Sequence, residues 1–436
     1  MSKLAPRVCA RLVWFGCALA ASAPAFCADA ADALTLDDYF AAALQRSEVV
    51  AAQVESIQQA EERYQQASAA LYPTVEGLAS YTRQESAARG TIDGATIPSR
   101  QPLVRLSATQ PLFRGFREFA ALRQSQALIG AEQFNYDAAR LQLFKDVAQN
   151  FFNILSIEQE LVNLDQEIEQ NSKRESEIRA RVRIGRSRAS EILTVQSAIS
   201  TLKAEVEQLR GQNLVARETF AFLSGLGAQT PLRDTEWVPP RPEPLEAYLA
   251  RIDRRPDVQV NRQRLTAAQE SIEIAKGARL PSVDLTGNHY LKRTGSLEDV
   301  DWDVGIALTV PLYTGGAIQS QVRSAASQRT QAELGLSQAR RLAEQEVRAS
   351  YRSVEYDRLQ IDALTAATEA ALKNYEAQVR DYRLGLVTNL DVLQALTALQ
   401  QNRRALDRVR FASKLDYVRL EAAAARRPVQ PERDKQ

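Results

Sequence analysis

Apolar residues recur at every seventh position along two long stretches of this chain. In the second stretch they are Val347, Val354, Ile361, Tyr375 and Tyr382, with Thr368 as the polar member. In the first they are Val147, Ile154, Leu161, Ile168 and Val182, with Glu175 interrupting the row. A seven-residue period signals coiled-coil packing, and an ordinary helical bundle also uses near-heptad seams. None of the sixteen prolines falls between Leu112 and Thr230 or between Leu312 and Arg427. Proline breaks helix interiors, and good helix formers fill both stretches. The pattern predicts helices over 35–70, 116–184 and 187–224, then over 246–277, 317–384 and 388–424. Each of the two longest would span about 100 Å. That length favours an extended coiled-coil rod over a compact bundle.

Short stretches of period two separate these helices. Val75, Gly77, Ala79 and Tyr81 share one face, opposite Glu76 and Ser80. Val104, Leu106 and Ala108 oppose Arg105, Ser107 and Thr109. Val283, Leu285, Gly287 and His289 oppose Asp284, Thr286 and Asn288, and Trp302, Val304, Ile306, Leu308 and Val310 oppose Asp303, Gly305 and Thr309. Alternation of this kind predicts four strands. Pro111 and Pro311 are expected to end strands and open the long helices, as proline can in a first helical turn. Alternation alone fits a soluble hairpin as well as a tilted transmembrane strand, which needs about 9–11 residues. Strands in lipid cannot leave open edges, and four are too few for a barrel. If these strands are membranous, several copies share one barrel.

The second half repeats the first at an offset of 200 residues. Val104–Gly115 aligns with Val304–Gly315, and Arg183-Ile184-Gly185 with Arg383-Leu384-Gly385. Upstream, Leu71–Val75 aligns with Arg279–Val283 at an offset of 208, which places an eight-residue insertion near residues 90–98. The expected organisation is a first structural repeat over 34–226, a linker over 227–245 holding five prolines, a second repeat over 246–424, and a polar tail over 425–436. Residues 1–28 read as a secretory signal peptide: Lys3, Arg7 and Arg11, an apolar run from Leu12 to Ala20, then small residues before a cleavage site between 25 and 30. The run is too short for a membrane anchor. Its removal takes the formal net charge from +1 to about −2.

Lys+Arg total 55 and Asp+Glu 54, so bulk charge gives no reason to expect nucleic-acid binding. Cys9, Cys17 and Cys27 all lie in the leader, and neither Cys17 nor Cys27 follows the Leu-small-small pattern of a lipid-anchored bacterial protein. His289 is the one histidine. Metal sites, thiol chemistry and His-based acid–base catalysis are therefore disfavoured. The expectation is no enzyme and no cofactor.

Gln110-Pro111-Leu112-Phe113, Val310-Pro311-Leu312-Tyr313, Arg255-Pro256-Asp257 and Asp381-Tyr382-Arg383-Leu384-Gly385 followed by Asp391-Val392-Leu393 stand in the order and spacing of the TolC-type outer-membrane efflux and secretion channels. The resemblance runs from about Leu34 to Ala424. It implies a mainly α fold with short β segments: a long coiled-coil helical tunnel plus four membrane strands per chain. It also implies a homotrimer closing one twelve-stranded barrel in outer-membrane lipid, with the tunnel reaching into the periplasm. The implied partners are a periplasmic adaptor and an inner-membrane ABC or RND-type transporter. The implied function is passive export of small molecules or polypeptides. The competing reading is a periplasmic coiled-coil adaptor without a pore; adaptors usually carry one helical hairpin, whereas this chain repeats its plan.

The resemblance also points to residues. The family closes the periplasmic end of its tunnel with rings of acidic side chains. Asp391, six residues after Gly385, stands where one such aspartate lies, and a second expected aspartate is Gln394 here. Glu191 follows Gly185 by the same six residues. Tyr382 matches a tyrosine that takes part in closure, and Val387 replaces an arginine of the closing network. The acidic ring is thus expected to be kept and the locking network altered. Plainer roles exist for each. Thr388 or Asn389 can cap the last helix and place Asp391 in its first turn, and Glu191 can do the same after Ser187. Tyr382 belongs to the heptad row, and Gly185 and Gly385 read as helix-ending glycines. Arg179, Arg181, Arg183, Arg186 and Arg188 form a basic run, either a solvated helix end or a contact surface for a partner.

Overall fold

The structure is a computed structural model that describes residues 33–85, 99–235, 237–295 and 297–425. The signal peptide, the insertion expected near 90–98 and the tail beyond Ala425 lie outside the described residues. The chain begins with helices α1 (Leu36–Arg46) and α2 (Glu48–Ala69), then strands β1 (Thr74–Arg83) and β2 (Arg100–Phe113), then α3 (Arg117–Arg183) and α4 (Ala189–Ser224). It continues with α5 (Leu245–Leu249), a 3-10 turn over Ile252–Arg254, and α6 (Pro256–Gly277). Strands β3 (Ser282–Lys292) and β4 (Trp302–Thr309) follow, and helices α7 (Ala317–Leu384) and α8 (Asn389–Ala423) close the chain. Helices α3 and α7 have 67 and 68 residues. The fold is mainly helical with few strands, and no helix among the described residues is long and apolar enough to cross a membrane.

Where the expected helices are interrupted, a local bond explains the break. The helix expected over 35–70 is divided at Ser47, whose hydroxyl accepts from the Val50 N–H and caps α2. The helix expected over 246–277 becomes α5, the 3-10 turn and α6, because Pro256 can only begin a helix and fills the first turn of α6. The expectation for Pro111 and Pro311 needs correction. Pro111 lies inside β2, opposite Asp284 of β3 and beyond the last residue that pairs with β1. A sheet tolerates a missing N–H where a neighbouring strand has ended. Pro311 lies between β4 and α7, in neither. The two long helices start instead after left-handed pairs, Gly115–Phe116 and Gly315–Gly316.

The strands form one antiparallel sheet in the order β1-β2-β3-β4. Its register puts Val75 beside Ala108, Gly77 beside Leu106 and Ala79 beside Val104. Leu106 then faces His289, which faces Trp302, and Leu285 faces Ile306. The apolar sets of all four strands therefore fall on one face. That face is bare: Val75, Ile306 and Trp302 are 70%, 70% and 65% exposed. On the opposite face Asp303 accepts from Asn288 Nδ2 and Tyr290 Oη, each at 2.8 Å. At the neck between sheet and helices, two backbones touch. A Cβ on Gly115 would strike the Gly277 carbonyl, and one on Gly277 would lie 2.5 Å from the Gly115 oxygen. Around Gly315 and Gly316 there is open space.

The main core lies at the waist of the bundle. Phe144, Val147, Phe151 and Ile154 of α3 pack with Tyr39 of α1, Phe220 of α4 and Val418 of α8. Beside this core, Arg255 acts as a clamp on three helices. Its guanidinium donates to Asp257 (3.0 and 2.9 Å), to Glu346 Oε2 of α7 (2.6 Å) and to the Ala423 carbonyl of α8 (2.8 Å). Burial is unequal between the long helices: twenty residues of α3 are buried and six of α7. Leu334, Leu342, Tyr356 and Leu359 leave an apolar stripe of α7 exposed.

Candidate functional site

The far end of the bundle, away from the sheet, consists of two helix turns, α3–α4 and α7–α8. Their geometry is nearly the same. Gly185 and Gly385 adopt φ of +71° and +79°, a region open to glycine without penalty. Each closes its helix with two reversed bonds, Arg186 N–H to Arg181 O (2.9 Å) with Gly185 N–H to Val182 O (3.0 Å), and Leu386 N–H to Asp381 O (3.0 Å) with Gly385 N–H to Tyr382 O (3.1 Å). These bonds satisfy carbonyls that a helix end leaves unpaired.

The caps that follow differ. Thr388 caps α8: its hydroxyl accepts from the Asp391 N–H (3.4 Å), while the Thr388 N–H and hydroxyl donate to Asp391 Oδ2 at 2.7 and 2.6 Å. These bonds hold the Asp391 carboxyl below the ordinary carboxylate range. At the other turn the cap position is Arg188, one residue later than Ser187, and Glu191 Oε1 accepts from the Arg188 N–H at 3.4 Å. So Asp391 and Glu191 each bond within their own turn. Gln394 is exposed on α8, and Ser187 turns its hydroxyl toward that of Tyr382, 3.5 Å away.

Tyr382 joins the two hairpins. Its buried ring lies between two guanidiniums of α3, Arg174 at 4.0 Å and Arg181 at 4.2 Å from the ring centroid. Cation–π contacts of this kind are worth about 0.5–2 kcal/mol, more when desolvated. Arg174 also donates from Nε to Asn389 Oδ1 at 2.8 Å, so one side chain of α3 grips α7 through Tyr382 and α8 through Asn389. Sequence reading pointed to Tyr382 and, within the basic run, to Arg181. It missed Arg174 and took Asn389 only as a possible cap, because the two lie 215 positions apart and no local motif joins them. Of the remaining run, Arg179 pairs with Glu175 at 2.6 Å, and Arg183, Arg186 and Arg188 are exposed.

Above the turns the seam of α3 departs from the expected apolar row. Leu161, Ile168, Glu175 and Val182 are only half-buried. The buried rows are Glu160, Glu167 and Arg174, and Leu164, Asn171 and Ile178. Both rows keep the seven-residue spacing, but four of their six members are polar. Asn163 donates to Asp407 of α8 (2.9 Å), and Gln400 of α8 donates to Gln170 (2.9 Å).

Two comparisons bear on this arrangement. The model of the family described as "Outer membrane efflux protein" matches residues 40–226 and 249–426. Outer membrane protein TolC of Escherichia coli (strain K12) is 24% identical over 390 residues, covering 83% of this chain and 76% of its own length. Nodulation protein T of Rhizobium leguminosarum bv. viciae is 24% identical over 392 residues, covering 84% and 78%. Among solved structures, the outer membrane protein VceC of Vibrio cholerae superposes with a TM-score of 0.79 at 20% identity, over 90% of this chain and 96% of that one. With both halves inside one family match, the adaptor reading of the sequence loses its ground.

Proposed function

The chain belongs to the outer membrane efflux protein family, as an export channel of the outer membrane whose tunnel extends into the periplasm, and on that premise we propose that three copies close one barrel of twelve strands. The observation that carries this reading is the sheet: four strands, two open edges, and an apolar face left bare in a single chain. Lipid would cover that face, and neighbouring copies would pair the edges. The exposed apolar stripe of α7 would be covered in the same assembly by helices of the next copy. In this reading residues 34–226 and 246–424 are two structural repeats joined by the linker 227–245. Mass measurement after mild detergent extraction should give three copies, and a stable monomer that stays soluble without detergent would refute the proposal.

Asp391, Glu191, Gln394 and Tyr382 would then gather around the axis at the periplasmic mouth. The carboxylates of Asp391 and Glu191 would line the constriction, and Tyr382 would tie the inner and outer hairpins through Arg174 and Arg181. Through this end the channel would meet a periplasmic adaptor and an inner-membrane transporter of the ABC or RND type, and pass small molecules or polypeptides without expending energy itself.

A further inference from the structure

The α3–α8 seam buries two carboxylates that the export function does not use. Glu160 and Glu167 are 7% and 5% exposed, two heptad-spaced members of one row on α3. This burial occurs within one chain. The Oε2 atoms of both lie buried without a hydrogen-bond partner. Around them are Arg404, Arg408 and Asp407 from α8 and Glu205 from α4. Arg404 gives its short contact to Glu205 (2.9 Å) and stands 3.6 Å from Glu160. Arg408, largely exposed, is 3.8 Å from Glu160. Among the described residues no cation pairs with Glu167.

Four acids thus share a seam with three arginines, one of which, Arg410, pairs with Asp407 at 3.3 Å, and the acid buried deepest has no cation paired with it. Burial favours the neutral form of a carboxyl unless a cation or donors compensate. Here burial raises Glu160, against the pull of Arg408 and Arg404, and raises Glu167, against Arg404 alone, while Glu205 repels both.

We propose that this stretch of the α3–α8 seam is a proton-accepting element: at acid pH Glu167, and with it Glu160, takes up a proton, and the seam between α3 and α8 opens less often. The sign is opposite to that of a salt-bridged acid. A carboxyl raised in the folded state binds more protons folded than unfolded, so the folded seam gains stability as pH falls. At neutral pH the buried charge makes the seam over Glu160–Asn171 open more often. Beside it Leu164 of α3 and Leu202 and Val206 of α4 pack as a buried apolar cluster that holds the other side of α3. The seam lies within a single chain, and its response does not depend on the barrel or on the constriction.

The test is amide hydrogen exchange of the full chain in detergent at about pH 5 and about pH 7.5, corrected for the intrinsic pH dependence of exchange. Residues 160–171 of α3 and 400–408 of α8 should open about three- to tenfold less often at the lower pH, as one carboxyl neutralised implies. The waist segment 143–155 is followed alongside and should show no such gain in protection. Glu167→Gln should give the acid-like protection already at neutral pH, and Glu167→Leu should do the same, because both remove the charge. Unchanged or weaker protection of the wild-type seam at acid pH would overturn the proposal. So would a Gln variant that tightens the seam beside a Leu variant that loosens it, since the gain would then come from a new hydrogen bond.

Discussion

At the waist α3 presents Phe144, Val147, Phe151 and Ile154 to α1, α4 and α8; further along, the same helix presents Glu160, Glu167, Asn171 and Arg174. The waist holds its largest polar group with full partners, in the three-way grip of Arg255, and leaves only single atoms such as Arg140 Nε, Arg251 Nη1 and Asp357 Oδ2 unpaired among its aromatic packing. The far end buries them half-paired: Arg174 Nη2, Arg404 Nε and one oxygen each of Glu160 and Glu167 have no hydrogen-bond partner. Unmade bonds cost about 1–3 kcal/mol each. One helix therefore runs from a region held by packing into a region whose contacts are nearly balanced.

The sharpest way to break this contrast is to hollow the waist. Phe220 is fully buried between Tyr39 and the α3 aromatics, its ring 4.6 Å from that of Tyr39. Phe220→Ala should lower unfolding stability by about 3–5 kcal/mol, read by denaturant titration. A loss below about 1 kcal/mol would mean the waist is not the stable part.

Arg174→Ala tests the far end with a polar change. It removes two links between hairpins and leaves Asn389 unpaired, for an expected loss of about 1–3 kcal/mol. Its larger effect should be on the channel, whose resting conductance in planar bilayers should rise. Equal conductance with lowered stability would make Arg174 a packing residue only.

Asp391→Ala comes next. Losing the cap should cost about 1 kcal/mol. If the carboxylates ring the mouth, cation preference and block by multivalent cations from the periplasmic side should also weaken, and nearly vanish in the double change with Glu191→Ala. Lowered thermal stability with unchanged selectivity and block would assign Asp391 to the cap alone.

The smallest effect is one of sign. Asp257 and Glu346 are half-buried, which opposes their charge, yet Arg255 holds both carboxyls below the ordinary range. Groups lowered in the folded state stabilise it above their unfolded values, and that contribution is lost as pH falls. The amides around the Arg255 grip should therefore exchange faster in acid while the α3–α8 seam slows. Parallel trends in the two segments would erase the distinction.

Much of this architecture could be read from the chain because punctuation and period agree. The turns at Gly185 and Gly385 and the two proline-free stretches placed α3 and α7 within a residue or two. Alternation assigned the faces of all four strands. The break at Ser47 was missed because apolar and helix-forming residues continue across it, and only the hydroxyl reaching Val50 N–H reveals it. The seam was misplaced for a physical reason: periodicity detects apolar residues, and here the buried rows carry Glu160, Glu167, Asn171 and Arg174. The grip of Arg174 on Asn389 needed the fold itself, since only the packing of α3 on α8 brings them together.

The neck has a mechanical consequence. Where β2 passes into α3, the backbones at Gly115 and Gly277 touch with no clearance, so α6 and α3 cannot slide past each other there. Where β4 passes into α7, a Cβ on Gly315 or Gly316 would meet nothing within 4 Å. Within one chain the joint is welded along one rail and slack along the other. A twist applied to α7 would be absorbed at the slack rail before it reached the sheet, while α3 and α6 bear the load that keeps strands and helices coaxial.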